Sequence, residues 1–260
     1  MAALGFIGTG HITAAMVEGF ATGEDPPARI TVSPRNRETA AALARRFPSV
    51  SIGRDNQAVV DGSEIVFLAV RPPVASEVVG ALRFRSDHTV VSLVALHPEA
   101  EMRRLVRPAK TLIRAVPLPS SARRIGPIAY YPHDAAIESL LCRIGTPIAA
   151  GSEREFHRLW SLTGLISPYC SLVAELARWT EEGGVARDSA EAYLKSFMHC
   201  LAMMTREAPF EQLAREAATP GGINEQALTI IAEAKGFASF RAALEAVYAR
   251  MNRTLDLSKA

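Results

Sequence analysis

The stretch that decides the fold is Ala3-Leu4-Gly5-Phe6-Ile7-Gly8-Thr9-Gly10-His11-Ile12-Thr13, close to the start of the chain. The apolar run before Gly8 predicts a buried β-strand, and the residues from Thr13 to Phe20 have helical periodicity. The glycines therefore stand in a strand-to-helix turn. Gly8 permits the tight turn, Gly10 lacks the Cβ that would block a pyrophosphate, and the helix start offers free N–H groups. Thr13, where a third glycine or alanine is usual, is small enough for helix–strand contact. This context predicts a dinucleotide site formed by Ile7, Gly8, Thr9, Gly10, His11 and Ile12.

The end of the second predicted strand, Arg29–Ser33, indicates which dinucleotide is bound. An NAD enzyme usually carries Asp or Glu here to accept a hydrogen bond from the ribose 2′-hydroxyl. This chain has no carboxylate there, and Ser33, Arg35 and Arg37 offer donors and positive charge that suit a 2′-phosphate. The alternative is a solvated loop arginine. We predict NADP (NADPH) as the cofactor.

Two further segments are expected to border the same site. Asn56 either reaches the adenosine side of the cofactor or caps a helix, and the two interpretations carry equal weight. Ala69, Val70, Arg71 and Pro72 close the strand predicted over Glu64–Val70, at the carboxyl edge of the sheet where ligands bind.

Short apolar runs continue to alternate with helical patterns as far as residue 149. Further strands are predicted over Ser49–Ile52, Thr89–Ala95, Thr111–Ala115, Ile128–Tyr131 and Pro147–Ala149, and helices over Arg37–Phe47 and Asn56–Val60. This order predicts an α/β fold, a doubly wound and mainly parallel Rossmann sheet covered on both faces.

The pattern changes at Gly151, after which helical periodicity dominates. Ser152 and Glu155 have the spacing of a capping box. The helices are predicted over Glu153–Leu165, Pro168–Glu182, Ser189–Arg206, Phe210–Ala217, Gly222–Ala234 and Phe237–Leu255. Ile166-Ser167-Pro168 is predicted to break two of them. We therefore expect an NADP-binding Rossmann domain over residues 1–151 and an all-helical dimerisation and substrate domain over 152–260. The tail after Asp256 is expected to fray.

The composition excludes several classes of function. With 29 basic and 27 acidic residues the net charge is +2, which argues against nucleic acid as a partner. Three widely spaced cysteines suit a reducing cytoplasm rather than a disulfide framework or a zinc site. The N-terminus lacks the pattern of a signal peptide, and no apolar run approaches the ~20 residues that span a bilayer. We expect a cytoplasmic protein without a metal or a membrane partner.

At these residues the chain resembles the pyrroline-5-carboxylate reductase family. Gly5–Ile12 is similar to the family's opening Gly-Phe-Ile-Gly-Ala-Gly-Asn-Met, and Asp55-Asn56 and Ala69–Pro72 are similar to its Asp-Asn and Ala-Val-Lys-Pro. Thr219-Pro220-Gly221-Gly222 resembles its Ser-Pro-Gly-Gly-Thr-Thr. The resemblance implies a Rossmann domain followed by helical domains that interlock in a dimer. It also implies reduction of a cyclic imine by NAD(P)H.

The departures from the family pattern lie where the substrate is expected. The family's Pro-Asn-Thr-Pro stands here as Pro117-Leu118-Pro119-Ser120, and its Ser-Gly-Ser-Gly-Pro as Gly164–Pro168. Its two threonines after Pro-Gly-Gly are Ile223 and Asn224. The resemblance implies substrate binding by Thr219, Pro220, Gly221, Gly222 and Asn224, with the backbone of the two glycines as a remaining anion cradle.

Candidates for proton transfer are few. Tyr169 follows Pro168 at a helix start and could donate a proton to a substrate nitrogen. Lys195 and His199 share one helix face, a pairing loosely similar to that of β-hydroxyacid dehydrogenases. Structural roles remain open for both candidates: a partly buried aromatic for Tyr169, and a surface lysine beside a core histidine.

We therefore expect an NADPH-dependent reductase of a cyclic imine or a related small carboxylate substrate. The alternatives are a dehydrogenase of a hydroxy or amino acid and a non-catalytic NADPH-binding regulator. We also expect a homodimer built on the helical domain, because one helix carries apolar residues nearly all round. These are Phe197, Met198, Leu201, Ala202, Met203 and Met204.

Overall fold

The structure, a computed structural model, describes residues 2–256 and the side-chain surroundings of residues 2–252. Contacts divide the chain into two compact units. One contains the residues up to Trp160 together with those from Ala249 on, and the other is Ser161–Tyr248. The expected fraying after Asp256 falls on residues outside the described part.

The first unit is built on one sheet. Within the described residues its eight strands are β1 (Leu4–Ile7), β2 (Ile30–Val32), β3 (Val50–Ile52), β4 (Ile65–Leu68), β5 (Thr89–Ser92), β6 (Thr111–Val116), β7 (Pro127–Tyr131) and β8 (Thr146–Ala149). Their spatial order is β3-β2-β1-β4-β5-β6-β7-β8. All neighbouring pairs are parallel except β6 with β7. The expected doubly wound, mainly parallel sheet is confirmed, and its strand order reverses between β1 and β4, the switch point where such sheets bind ligands.

Six helices accompany these strands along the chain. They are α1 (His11–Ala21), α2 (Arg37–Arg46), α3 (Asn56–Asp61), α4 (Ala75–Gly80), α5 (Glu99–Leu105) and α6 (Ala135–Leu141). No bounds were predicted for the last three. Like α3, which was predicted, they have only six or seven residues and show less than two turns of the 3.6-residue period. The strand over Glu64–Val70 is shorter than predicted and ends at Leu68.

The core lies on both faces of the sheet. Phe6 belongs to one buried cluster and Ile7 to the other, since successive strand side chains point to opposite faces. Phe6 stacks on Phe67 of the neighbouring strand with ring centroids 4.6 Å apart. Burial on both faces explains why these strands are continuously apolar rather than alternating.

The remaining helices are α7 (Glu153–Ser161), α8 (Ile166–Glu182), α9 (Arg187–Met204), α10 (Phe210–Ala217), α11 (Ile223–Glu233) and α12 (Gly236–Asp256). Half of the predicted capping box is present at α7, where the Ser152 hydroxyl accepts from the Glu155 N–H at 3.2 Å. The Glu155 carboxylate accepts from the Gly151 N–H at 2.9 Å instead of from the Ser152 N–H. No helix of the described part combines the length and apolar character that crossing a membrane requires.

Two sequence-based boundaries differ from the structure. The break predicted at Ile166-Ser167-Pro168 is wrong, because a 3₁₀ turn over Leu162–Leu165 leads directly into α8. Pro168 lies in the first turn of α8, where the N–H that proline lacks has no intrahelical acceptor. The compact units separate at Ser161 rather than near residue 151, since Phe156 of α7 is fully buried within the first unit.

Candidate active site

The turn between β1 and α1 is shaped by two glycines with different reasons for being glycine. Gly8 has a φ of +98°, and a Cβ there would lie 2.6 Å from the carbonyl oxygen of Ala69. Gly10 has an ordinary φ of −95°, and a Cβ there would meet no atom within 4 Å. Gly8 is therefore required by the protein itself, whereas Gly10 keeps open the space in front of the helix.

The start of α1 is suited to an anion. Gly10 is its N-cap residue and provides no side-chain cap, and the first turn carries no carboxylate. Its first N–H groups and the positive end of the helix dipole are thus left for a ligand. Thr13, fully buried, donates its hydroxyl proton to the Gly8 carbonyl oxygen at 2.6 Å. Threonine can therefore replace the usual small residue, because its hydroxyl stabilises the glycine turn through this hydrogen bond.

Ser33 at the end of β2 supports the same turn. Its hydroxyl oxygen accepts from the Gly8 N–H at 2.9 Å, and its carbonyl oxygen accepts from the Thr9 hydroxyl at 2.7 Å. Ser33 is only 1% exposed. This corrects the expectation that Ser33 itself donates to a cofactor phosphate, because its side chain is buried and engaged with Gly8 and Thr9.

The arginines after β2 remain available. Arg35 and Arg37 are exposed and, within the described residues, belong to no ion pair. Asn36 between them caps α2, its side-chain oxygen accepting from the Thr39 N–H at 3.3 Å. The cap orients this segment at the carboxyl edge beside β1, so positive charge stands next to the glycine turn.

The other predicted cofactor residues lie at the same edge. Asp55 is the cap of α3, accepting from the Ala58 N–H at 2.7 Å. The cap interpretation of Asn56 is therefore wrong, and its half-buried side chain has no hydrogen bond in the described residues. Ala69 continues β4 by donating to the Ile7 carbonyl oxygen at 2.8 Å, and Val70, Arg71 and Pro72 follow it. They begin at the β1–β4 switch point.

The predicted substrate loop, Thr219–Asn224, forms hydrogen bonds within itself and to the helix that follows it. The Gly222 N–H donates to the Thr219 carbonyl oxygen at 2.9 Å, and the Gly221 N–H donates to the Glu225 carboxylate at 2.7 Å. Gly221 adopts a φ of +72°, which favours glycine. Ile223, the first residue of α11, is 82% exposed.

The two predicted proton donors belong to the second unit. Tyr169 lies in the first turn of α8 and is about half exposed, at 49%. Lys195 on α9 is exposed, and its ammonium group lies 3.0 Å from the Glu191 carboxylate. Lys195 is therefore an exposed residue whose charge is paired. The Tyr169 hydroxyl, by contrast, has no hydrogen-bond partner among the described residues.

A buried ionic cluster was not predicted from the sequence. Arg114 of β6 is 2% exposed and forms an ion pair with Glu153 of α7. Its guanidinium also lies 3.0 Å from His157 Nε2, and the other ring nitrogen of His157 is 3.0 Å from Asn252 Oδ1. Burial lowers the pKa of His157, and the Arg114 charge adds to that lowering, while the hydrogen bond to Asn252 opposes it. The sequence feature that could have indicated this cluster is the arginine within the apolar run Thr111–Val116.

The described residues contain no group of three or more His, Cys, Asp or Glu side chains placed to hold a metal ion.

Comparisons with known proteins follow the same two-part division. Residues 3–96 match the family described as NADP oxidoreductase coenzyme F420-dependent, and residues 153–254 match the one described as pyrroline-5-carboxylate reductase dimerisation. A pyrroline-5-carboxylate reductase of Pseudomonas aeruginosa is 22% identical over 98% of this chain and 97% of its own length. The chain belongs to the pyrroline-5-carboxylate reductase family.

Other relatives of this pyrroline-5-carboxylate reductase family member are similarly distant. Pyrroline-5-carboxylate reductase 2 of Bacillus subtilis is 23% identical over 90% of this chain and 88% of its own. Among solved structures, a pyrroline-5-carboxylate reductase from Coxiella burnetii has a TM-score of 0.83 at 24% identity, covering 97% of this chain and 98% of its own. A Plasmodium falciparum pyrroline carboxylate reductase with NADP bound has the same TM-score at 16% identity, over 97% of this chain and 98% of its own. At such identities the structures show a shared fold.

Proposed function

We propose that the protein reduces the C=N bond of a cyclic imine with NADPH. The observation that carries this proposal is the glycine turn: the space at Gly10 is open, and no side chain caps the helix behind it. A Cβ at Gly10 would lie in the open space in front of α1, where no atom of the described residues comes within 4 Å of it. Together with family membership, this favours a dinucleotide as the ligand.

The chain's own residues divide the binding of NADPH between them. The N–H groups at the start of α1 hold the pyrophosphate, and Thr9, Thr13 and Ser33 keep the turn rigid. Arg35, joined by Arg37, pairs with the 2′-phosphate, since a guanidinium matches phosphate in charge and geometry. Asn56 is assigned to the adenosine side.

Ala69, Val70, Arg71 and Pro72, at the carboxyl edge of the sheet, are assigned to the reactive end of the cofactor. The nicotinamide, when bound, supplies the hydride. The residues Thr219, Pro220, Gly221, Gly222 and Asn224 form the substrate side. Tyr169 is the preferred proton donor to the imine nitrogen, because Lys195 is held by Glu191. A cyclic iminium is already electrophilic, so little acid catalysis is needed beyond that proton.

The protein is proposed to act as a homodimer joined through its helical unit. That unit exposes many large apolar side chains, more than isolated surface residues require. They include Leu172, Trp179, Tyr193, Phe197, Leu201, Met203, Phe210, Leu228, Ile230, Ile231, Phe237 and Phe240. A two-fold partner would cover them, which agrees with the dimerisation family matched over residues 153–254.

The test is to mix the purified protein with NADPH and a panel of cyclic imines and to follow NADPH oxidation. Turnover of an imine supports the reductase. A panel of hydroxy and amino acids with NADP tests the dehydrogenase alternative, and NADPH binding without turnover on either panel would favour a regulator. Gly10→Val serves as the control without cofactor binding.

A further inference from the structure

Three polar side chains at the carboxyl edge of the sheet form a cluster that the proposed function does not use. Ser76 lies in the first turn of α4, His97 precedes α5, and Glu101 lies in the first turn of α5. His97 Nε2 lies 3.1 Å from the Ser76 hydroxyl oxygen and 3.2 Å from Glu101 Oε1. The Ser76 hydroxyl donates to the same carboxylate oxygen at 2.9 Å. The cluster therefore joins α4 to the segment that leads into α5.

The hydrogen bonds of the cluster determine which ring nitrogen of His97 carries the proton. Ser76 gives its hydroxyl proton to Glu101, and a carboxylate can only accept. Both partners of His97 Nε2 are therefore acceptors, so Nε2 is a protonated nitrogen that donates. The His97 side chain is only 12% exposed. Its N–H group thus makes a partly buried connection between two helices.

The cluster lies beside the segment assigned to the reactive end of the cofactor. The Leu93 N–H donates to the Leu68 carbonyl oxygen at 2.9 Å, so the segments that follow β4 and β5 leave the sheet next to each other. The first leads through Ala69–Pro72 to α4, and the second forms the turn Val94–His97. The cluster joins these two segments a second time.

The turn Val94–His97 has an unfavourable backbone conformation. Leu96 has a φ of +57°, in the left-handed region that disfavours a residue with a Cβ. Such a conformation persists only where the surrounding structure holds it. Val94, 1% exposed, fixes one end of the turn in the core, and the hydrogen bonds of His97 fix the other.

We propose that His97 is a positioning residue for the cofactor, because it holds the turn that borders the nicotinamide end of bound NADPH. The proposal rests on the proposed function, in which Ala69–Pro72 is assigned to that end. A dinucleotide that extends from the glycine turn past β4 meets the end of β5 next, since β5 lies on the side of β4 away from β1. A preformed turn there reduces the ordering that binding the ring requires.

The experiment compares two ligands that differ at the nicotinamide end. NADPH and 2′-phospho-ADP-ribose, which lacks the nicotinamide ring, are titrated calorimetrically into the wild type and three variants. His97→Ala removes the N–H donor, whereas His97→Gln keeps an N–H donor on a side chain of similar reach.

His133→Ala is the matched control. It also removes a histidine that is paired with a glutamate, since His133 Nε2 lies 3.0 Å from Glu138 Oε2. His133 follows β7, which runs antiparallel to β6, so it lies at the opposite edge of the sheet from His97.

We expect His97→Ala to weaken NADPH binding by about fivefold or more, the size of effect that the loss of one hydrogen bond produces. Its affinity for 2′-phospho-ADP-ribose should stay within about twofold of the wild-type value, which also shows that the variant is folded. His97→Gln should restore most of the affinity for NADPH. His133→Ala should bind both ligands as the wild type does.

Three outcomes would overturn the proposal while the proposed function survives. They are NADPH binding that His97→Ala leaves unchanged, equal weakening of both ligands in His97→Ala, and a His97→Gln variant that binds NADPH no better than His97→Ala. If the wild type binds neither ligand, the cofactor site and the proposed function fail, and the role of His97 fails with them.

Discussion

The Ser33 hydroxyl oxygen accepts a hydrogen bond from the Gly8 N–H at 2.9 Å and thereby joins the end of β2 to the glycine turn after β1. Gly8 cannot carry a Cβ, because Ala69 lies against it on the opposite side. The turn is thus held from two neighbouring strands at once. Its shape is set before any ligand arrives, which reduces the ordering that binding would otherwise require.

Ser33→Ala should destabilise the protein and weaken NADPH binding together. The change leaves the half-buried Gly8 N–H without its partner, which costs about 0.5–1.5 kcal/mol. Urea unfolding and calorimetric titration with NADPH measure the two effects. Ser51→Ala, which removes an exposed hydroxyl on the adjacent strand β3, is the matched control. Unchanged unfolding in Ser33→Ala would contradict this account of the turn.

Arg35→Ala should remove most of the preference for NADPH over NADH. The lost interaction is a charged hydrogen bond to the 2′-phosphate, worth about 1.5–3 kcal/mol. Both cofactors are titrated into the wild type and the variant. Arg45→Ala, an exposed arginine near the end of α2, should keep the wild-type preference. Equal affinity of the wild type for the two cofactors would refute the assignment.

Gly10→Val should abolish NADPH binding and leave the stability close to that of the wild type. Its φ of −95° is open to any residue, and a Cβ meets no protein atom there. Gly8→Val should instead lower the melting temperature, because its Cβ would collide with Ala69. Thermal unfolding and calorimetry of the pair separate the two roles. Retained NADPH binding in Gly10→Val would place the cofactor elsewhere.

The stability of the first unit should fall as the pH drops below about 6.5. Burial and Arg114 lower the pKa of His157 in the folded state from its ordinary value of 6.5. The unfolded chain therefore takes up a proton that the folded chain does not, at a cost of up to about 1.4 kcal/mol per pH unit. At pH values well above 6.5 both states are neutral at this site and the effect vanishes.

Urea unfolding between about pH 8 and pH 5.5 measures this slope. His157→Gln should make the slope shallower, and a remainder is expected from His88, whose pKa burial also lowers. His133→Gln, at an exposed histidine, is the control. Identical slopes in the wild type and His157→Gln would show that His157 is not responsible.

The protein should remain a dimer on dilution. Light scattering across a concentration series measures this, and Phe197→Glu should shift the population to monomer, since a charge would enter an apolar interface. Ile52→Glu is the matched control: Ile52 is 42% exposed against 43% for Phe197, but it lies on the edge strand β3. An active wild-type monomer at low concentration would disprove the dimer.

The resemblance to a known family and the local patterns carried much of the prediction. The Rossmann sheet was predicted from the apolar run before Gly8, and the helices that follow it from the change to helical periodicity at Gly151. The missing acid after β2 predicted NADP as the cofactor. All eight strands lie where the apolar runs placed them. The inner strands need a continuous apolar segment because they are buried on both faces, whereas the edge strands β3 and β8 are mostly exposed. These features depend on neighbours in the chain, so the sequence shows them directly.

What the sequence by itself determined is the order of the elements, the glycine turn and the nature of its ligand as an anion. Only the tertiary structure decided how individual polar groups are used. Ser33 lies 25 residues from Gly8, and Arg114 lies 43 residues from His157, so no local period brings either pair together. The hydrogen bond from the Gly221 N–H to Glu225 depends in the same way on the backbone conformation of Gly221, whose φ is +72°. A side chain's partner depends on distances across the fold, and those distances are set by the packing of the sheet and helices rather than by spacing along the chain.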